Sequence, residues 1–379
     1  MSPPANAIAL TSMLVRIWPY ALPIVGLSFA LAVHGFAAAN PNAGLREELA
    51  IIIGAVVLLV PSVLAALHHA ESAARRIGEP YGTLLLTLSV TTIEVSIIVS
   101  MMLHGTNNPT LAREAVFSAV MLVCSGGVGF CLMLGSLRHH EQGHNTQGTS
   151  AYLAVLLVLS VLTLILPNFT LTTEAGTFSP GQLAFVSMLS VLVYIAFLYI
   201  QTVRHRGNFL DAGVQPPAHH VAEQRHTSPL WANILFLLAG LAAVVLLAEL
   251  VADGAERGLN AIGVLRPDAI VGAMIATLVL MPEFLTSLKA ARLNHLQHSI
   301  NAMLGSALAS MALTIPAVVA VCLFTRRELI LGLDNRDATL LVLALTLCIV
   351  SFGTGRTNVL TGIVHLVIFF AYLMLLVIP

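Results

Sequence analysis

Long apolar runs separated by short polar stretches repeat along the whole chain. Eleven of these runs have the length and composition of a membrane-spanning helix, which needs roughly 20 mostly apolar residues. They cover residues 14–38, 47–69, 83–104, 113–137, 150–167, 181–203, 229–252, 267–289, 298–325, 336–352 and 357–378. The strands of a membrane barrel would instead alternate apolar and polar residues over about ten positions. The pattern therefore predicts an all-α polytopic membrane protein with about 11 transmembrane helices.

The composition agrees with a membrane setting. Of the 379 residues, 58% are hydrophobic and only 9% are charged, whereas a soluble domain carries about 25% charged residues. The lipid bilayer is therefore an expected partner. The formal net charge of -1 argues against nucleic acid as a partner, because nucleic acid requires a basic face. All four cysteines lie inside apolar runs, which favours core residues over disulfides or a zinc site.

The distribution of Lys and Arg predicts the orientation, because cytoplasmic loops carry an excess of both. With the N-terminus in the cytoplasm and the C-terminus outside, ten of the 17 basic residues fall on the cytoplasmic side. The longest polar segment, residues 204–228, lies on that side together with eleven of the 14 histidines. These histidines belong either to a solvated linker and helix ends, or to a sensor of pH or metal, since histidine titrates near neutral pH.

One acidic residue stands in the middle of the third apolar run. Between residues 83 and 103 the only ionisable side chain is that of Glu94. A charge at the centre of a spanning helix costs about 2.5–3.5 kcal/mol, so such residues usually serve a function. The eighth run repeats the feature with Glu283, directly after Pro282, where the missing N–H predicts a break in the helix.

The two glutamates predict an inverted-topology repeat. Their runs are five helices apart, an odd number, so the two helices cross the membrane in opposite directions. The predicted units are an extra N-terminal helix (1–45), a first repeat (46–203, with its motif at 78–98), a His-rich cytoplasmic loop (204–228) and a second repeat (229–379, with its motif at 272–310). Transporters of this design bind ions near the bilayer midplane, at the interface of the repeats.

A buried glutamate can bind a proton or a cation, but not both at once, which couples the two flows. Hydroxyl groups near each acid can add oxygen ligands, and Ca²⁺ prefers six to eight of them. The candidate ligands are Glu94 with Thr87 and Thr91 on its helical face, and Glu283 with Thr286 and Ser287 three and four residues later. The alternative is that each glutamate pairs with a Lys or Arg, or reaches an interface.

Further polar residues lie in or beside the predicted spans. Gln297 and Asn301 share one helix face, where they either bond neighbouring helices or line the ion path beside Glu283. Arg113 and Glu114 begin the fourth span and are expected at the interface. Near the outer end of the seventh span, Glu249 and Asp253 form either an entry vestibule or a solvated helix end.

Two longer stretches carry a resemblance to a known family. GEPYGTLLLTLSVTTIEVSII (78–98) and PEFLTSLKAARLNHLQHSINAMLGSALASMALTIPAVVA (282–320) resemble the two α-repeats of the cation/Ca²⁺ exchanger superfamily, in particular its bacterial ChaA-type calcium (sodium, potassium)/proton antiporters. The resemblance implies exchange of cytoplasmic cations for external protons by alternating access in the bacterial inner membrane, without a cofactor. It implies that Glu94 and Glu283 are the central acids, and that Asn301, Gly305 and Ser306 belong to the partner helix of the second repeat.

The sequence departs from the family pattern just before each glutamate. Many calcium/proton exchangers of this superfamily have Gly-Asn-x-x-Glu, whereas this chain has Val90 and Thr91 in one repeat and Val279 and Leu280 in the other. The transported cation therefore stays open among Ca²⁺, Na⁺ and K⁺.

Two other functions are compatible with the pattern. The first is a channel or uniporter of the same architecture without proton coupling. The second is an intramembrane metal-dependent enzyme, which would need ligands that converge inside the helices. Among the histidines, only His34, His104 and His365 lie away from the cytoplasmic side.

Overall fold

Helices account for nearly all of the regular structure. The computed structural model describes residues 5–39, 45–77, 81–104, 108–210, 229–261 and 263–378. The α-helices are α1 (Ala5–Ala39), α2 (Leu45–Ile77), α3 (Tyr81–His104), α4 (Leu111–Met121), α5 (Val128–His139), α6 (Thr146–Ser160), α7 (Pro180–Tyr199), α8 (Leu230–Ala261), α9 (Pro267–Arg292), α10 (Leu296–Ala309), α11 (Ile315–Thr325), α12 (Asn335–Phe352) and α13 (Val359–Val377). Two short strands, β1 (Gln142–Gly143) and β2 (Arg356–Thr357), pair in antiparallel fashion.

The predicted spans are confirmed as helices. Within the described ranges, ten helical segments are long and apolar enough to cross a membrane, and α3 adds a shorter apolar stretch, Leu88–Met102. Together these segments coincide with the eleven apolar runs of the sequence. Helices are the expected solution because every backbone polar group in the bilayer core must be satisfied within the protein.

The chain folds into two compact units that do not follow the sequence halves. The first unit comprises Met1–Met101 and Val221–Gly258, and therefore holds α1, α2 and most of α3 and α8. The second comprises Met102–His220 and Leu259–Pro379. Each unit contains helices from both predicted repeats. The two compact units therefore differ from the two sequence repeats that residues 204–228 divide.

Small residues let the helices of the first unit approach closely. A Cβ atom built on Gly26 of α1 would lie 2.7 Å from the Ser62 hydroxyl oxygen of α2. On α8, a Cβ atom at Gly240 would lie 3.0 Å from the Ala66 side chain of α2. Such small-residue contacts are typical of membrane helices, whose association depends on close van der Waals packing.

In the second unit, α9 packs against α4, α5 and α10. The two helices α4 and α9 lie close together at Gly272, where a Cβ atom would lie 2.9 Å from the backbone nitrogen of Ala115. The α9 helix is therefore held against backbone rather than against a flexible side chain. This contact fixes the position of the helix that carries Glu283.

Four π turns occur among the described residues, and two of them interrupt the helices that follow the two glutamate-bearing helices. The other two, Val161–Ile165 and Ile200–Arg204, follow α6 and α7. The first π turn (Leu122–Gly127) joins α4 to α5, and the second π turn (Ser310–Thr314) joins α10 to α11. The first begins 28 residues after Glu94 (122 − 94) and the second 27 residues after Glu283 (310 − 283). The two irregularities therefore occupy equivalent places in the two predicted repeats. Single π turns within α-helices frequently mark functional sites.

Candidate functional site

Glu94 lies near the middle of α3 and is buried. Its side chain is only 3% exposed, and Thr91, one turn earlier on the same helical face, is 6% exposed. Ile97 and Ile98 on this face are fully buried. The structure therefore places a carboxylate and a hydroxyl next to each other on an apolar, enclosed face. The side chain of Thr87 lies outside the described residues.

A second acid reaches α3 from α8. The hydroxyl of Ser100 donates a hydrogen bond of 2.8 Å to the Glu249 carboxylate. Ser100 follows Glu94 by six residues, which is about 9 Å along a helix axis. Glu249 is therefore held against the glutamate-bearing helix rather than extending into solvent. Sequence reasoning did not link these two residues, because 149 positions separate them.

Glu283 lies in the second half of α9 and is half-buried. The helix runs without interruption from Pro267 to Arg292, so the break expected at Pro282 does not occur. The physical reason is that a proline inside a helix removes one hydrogen bond, while neighbouring helices in a membrane can support the rest of the turn. The proline has one local effect. The carbonyl of Leu278 would normally accept from the N–H of residue 282, and Pro282 has no N–H.

The two hydroxyl groups after Glu283 differ in their surroundings. Thr286 is exposed and donates to the carbonyl oxygen of Pro282 at 2.9 Å. Ser287 is fully buried, and its hydroxyl makes no hydrogen bond with any of the described residues. A buried hydroxyl without a partner costs free energy, so Ser287 is the better candidate for a polar ligand beside Glu283.

The amides predicted near Glu283 join three segments of the second unit. Gln297 donates to the Asn301 side-chain oxygen at 2.8 Å and accepts a hydrogen bond from the backbone of Asn145 at 2.7 Å. Asn301 donates to the carbonyl oxygen of Phe209 at 2.6 Å. Through these hydrogen bonds the two amides connect α10 to the backbone at Asn145 and at Phe209. Ser306, five residues after Asn301, is half-buried.

A buried arginine–acid cluster lies where α4, α9 and α12 begin. It consists of Arg113, Glu114, Arg266 and Asp337. Glu114 is 1% exposed and accepts from Arg113 at 2.7 Å and from Arg266 at 3.0 Å. Arg266 also lies 2.8 Å from Asp337. Burial lowers the pKa of Arg266, but the neighbouring Glu114 and Asp337 carboxylates raise it by more. The charges at the start of the fourth span are thus paired inside the protein.

The first π turn is held by a histidine of α13. His365 is fully buried, and its Nδ1 lies 2.7 Å from the carbonyl oxygen of Cys124. Its Nε2 lies 3.0 Å from the hydroxyl of Ser351. Since a carbonyl only accepts, Nδ1 carries the hydrogen, and the Ser351 hydroxyl can donate to Nε2. Both ring nitrogens of the neutral imidazole therefore have partners, and the side chain supports the turn.

Two histidines of the predicted cytoplasmic side cap the C-terminal ends of helices. His139 Nε2 lies 3.0 Å from the last carbonyl of α9, that of Arg292, and His144 Nε2 lies 3.0 Å from that of Phe352 in α12. Throughout the described ranges, no group of three or more His, Cys, Asp or Glu side chains could hold a metal ion. His219, His220 and His226 lie outside the described residues, as does the side chain of His104.

Comparison with known proteins gives consistent matches over most of the chain. The sequence model described as "Sodium/calcium exchanger protein" matches residues 48–203 and 232–378. A putative ionic transporter, y4hA, of Sinorhizobium fredii is 43% identical over 368 residues, covering 96% of this chain and 97% of the relative. The sodium-potassium/proton antiporter ChaA of Escherichia coli is 38% identical over 330 residues, covering 86% of this chain and 88% of the relative.

Solved structures share the fold at low sequence identity. Native YfkE superposes with a TM-score of 0.70 at 15% identity, covering 95% of this chain and 100% of that one. The H⁺/Ca²⁺ exchanger CAX gives a TM-score of 0.65 at 14% identity, with 94% and 88% of the two chains covered. This chain therefore shares the fold of these two solved structures.

Proposed function

This chain belongs to the sodium/calcium exchanger protein family and is an ion transporter, and we propose that it exchanges cytoplasmic cations for external protons by alternating access. The observation that carries the proposal is the position of the two glutamates. Glu94 lies in the first family-matched segment and Glu283 in the second, each well inside a membrane-spanning helix. Charged residues at such positions usually lie on ion or proton pathways.

The coupling follows from competition at these carboxylates. A deprotonated glutamate attracts a cation, and protonation removes the charge and releases the cation. Thr91 beside Glu94 and Ser287 beside Glu283 offer neutral oxygens that can replace part of the water shell of the ion. If only the loaded forms change access, each cation released on one side is replaced by protons taken up there.

We propose Na⁺ or K⁺ as the principal cation, with Ca²⁺ as a second candidate. The proposal is supported by the relative from Escherichia coli, which is named a sodium-potassium/proton antiporter. The family amide expected three residues before each glutamate is replaced by Thr91 and Leu280. We further propose that the protein resides in the bacterial inner membrane with its N-terminus in the cytoplasm, as the basic residues indicate.

The test uses purified protein in liposomes that contain a trapped pH dye and carry an imposed pH gradient. Addition of Na⁺, K⁺ or Ca²⁺ should collapse the gradient when the cation is a substrate. Glu94→Gln and Glu283→Gln should each abolish the response without loss of membrane insertion. Glu141→Gln is the matched control, because this acid is 61% exposed in a surface pair with Arg356 and should exchange normally. Tracer flux without proton movement would identify a uniporter instead, and normal exchange by either core variant would contradict the role of its glutamate.

A further inference from the structure

His69 is a buried titratable residue that the proposed exchange does not use. It lies on α2, five residues before the end of the span Leu49–Ala74, and its side chain is fully buried. Its contacts reach α1 and α8, all within the first compact unit. An ionisable group inside a membrane segment is usually functional, because insertion of such a group is costly.

The contact with α1 arises from two prolines. His69 Nε2 lies 3.0 Å from the carbonyl oxygen of Pro19. In a regular helix this carbonyl would accept from the N–H four residues later, but that residue is Pro23, which has no N–H. The imidazole supplies the missing donor. Because a carbonyl oxygen only accepts, Nε2 carries a hydrogen in every protonation state of this geometry.

The contact with α8 permits two protonation states of the other ring nitrogen. His69 Nδ1 lies 3.1 Å from the side-chain oxygen of Asn233, which is 2% exposed. A side-chain amide presents either its oxygen or its NH₂ group at nearly the same position after a half-turn. Nδ1 can therefore accept from the Asn233 NH₂ group as neutral histidine, or donate to the Asn233 oxygen as imidazolium. The hydrogen bond is kept in both states.

The rings around His69 are compatible with a positive charge. Phe236 of α8 stacks on the imidazole with ring centroids 5.3 Å apart, and an aromatic face attracts a cation. Tyr20 of α1 meets it edge-on at 5.0 Å, and His68 of α2 lies at 5.6 Å. The titratable groups that face His69 among the described residues are thus Tyr20 from α1 and His68 from α2, while α8 contributes the uncharged Asn233 and Phe236.

We propose that His69 is a proton-binding site separate from Glu94 and Glu283, and that its protonation tightens the junction of α1, α2 and α8. In the imidazolium both ring nitrogens donate to oxygen, and hydrogen bonds from a charged donor are shorter and stronger than neutral ones. The same α8 carries Glu249, which bonds Ser100 of α3. A tighter junction therefore restrains the helix that bears Glu94, so acid should slow exchange. This last step rests on the proposed function, whereas proton binding by His69 does not.

The direct test is NMR of protein labelled with ¹⁵N in its histidines. The Nδ1 resonance absent from His69→Gln should change from the neutral to the protonated position when the sample is acidified. Asn233→Leu keeps His69 but removes the oxygen that accepts in the imidazolium, so it should weaken proton binding by His69. A His69 signal that keeps one form throughout the acidification would overturn the proposal. If His69→Gln fails to fold, the Nδ1 resonance that Asn233→Leu displaces identifies His69, because Asn233 contacts this ring nitrogen.

The functional test is the pH profile of exchange in liposomes. Glutamine at position 69 can still donate to Pro19 but cannot titrate. One pH unit below the pKa of a histidine, only about one-tenth of it is unprotonated. If only this form exchanges rapidly, His69→Gln should be up to about tenfold faster than the wild type in acid. His139→Gln, which replaces a half-buried capping histidine outside this junction, should leave the profile unchanged. An identical acid limb in the wild type and His69→Gln would overturn the link to exchange, even if His69 titrates in the NMR experiment.

Discussion

Arg266 holds Glu114 at 3.0 Å although 152 residues separate them in the sequence. The same guanidinium nitrogen lies 2.8 Å from Asp337, so one side chain neutralises two acids that are both almost fully buried. This relationship ties the beginnings of α4, α9 and α12 together. It also explains how two carboxylates persist in the second unit where water does not solvate them.

Replacing Arg266 should therefore destabilise the protein strongly. Arg266→Met leaves the Asp337 carboxylate without this partner and weakens the pairing of Glu114, and breaking a buried pair costs about 3–5 kcal/mol. Thermal unfolding in detergent should show a large fall in Tm. Arg356→Met removes only a surface pair with 78% and 61% exposed partners, and such pairs contribute about 0–1 kcal/mol. Equal shifts in the two variants would contradict the role of the arginine–acid cluster.

Ser287→Ala should show whether Ser287 binds the transported cation or only packs in the core. If Ser287 only packs, removal of a buried hydroxyl without a partner is neutral or stabilising. If it binds the transported cation, KM for that cation should rise several-fold while Tm stays the same or increases. Thr286→Ala is the comparison, because Thr286 is exposed and already donates to Pro282. A KM for Ser287→Ala equal to that of the wild type would exclude it from the cation site.

Gly272→Ala should weaken the contact between α4 and α9. The added methyl group would lie 2.9 Å from the backbone of α4, and backbone cannot move aside cheaply. Overpacking of this kind costs about 1–3 kcal/mol. Gly181→Ala is the matched control, since a Cβ atom there meets nothing within 4 Å. Unfolding of both variants in detergent measures the difference, and no loss of stability at position 272 would show that the helices can separate there.

His144 should make the protein less stable in acid. Burial lowers the pKa of His144, and its hydrogen bond to the Phe352 carbonyl offsets only part of this effect. The folded chain therefore favours the neutral form, while the unfolded chain takes up a proton as the pH falls below about 6.5. The stabilisation is fully present above that pH and decreases below it. His144→Gln should lose less Tm than the wild type between pH 7.5 and 5.5, and an equal loss would show that other groups dominate.

The membrane spans could be predicted because a bilayer imposes a simple length and polarity rule on each segment. Glu94 and Glu283 stood out for the same reason, since an acid in a long apolar run has few structural explanations. The arginine–acid cluster could not be predicted in this way. Arg113, Glu114 and Arg266 lie at the ends of runs, where charges are common, and only the tertiary contacts show that they are buried together.

Other features depended on contacts that a sequence does not display. Pro282 suggested a broken helix, but α9 continues through it because one missing hydrogen bond does not outweigh the packing of a whole helix. For Glu249 the sequence left open an entry vestibule or a solvated helix end, and it gave no sign of the hydrogen bond from Ser100. The visible signal for the first π turn is the pair Gly126–Gly127. For the second it is Pro316, which lacks the N–H that would bond the Ala312 carbonyl. Neither signal by itself distinguishes a π turn from a regular helix.

The two π turns have a consequence for the tolerance of the chain to insertions and deletions. A π turn holds one residue more than the α-turn it replaces, and each residue of an α-helix rotates the chain by about 100°. Both kinds of turn carry the chain once around the helix axis, so deleting a single residue between Leu122 and Gly127 could restore regular helix while α5 keeps its rotation relative to α4. A deletion elsewhere in the same span would instead turn every later side chain by that angle. The same holds for α10 and α11 across Ser310–Thr314. These two short segments are therefore the places in their spans where alignments of related chains can carry a one-residue gap without rotating the rest of the helix.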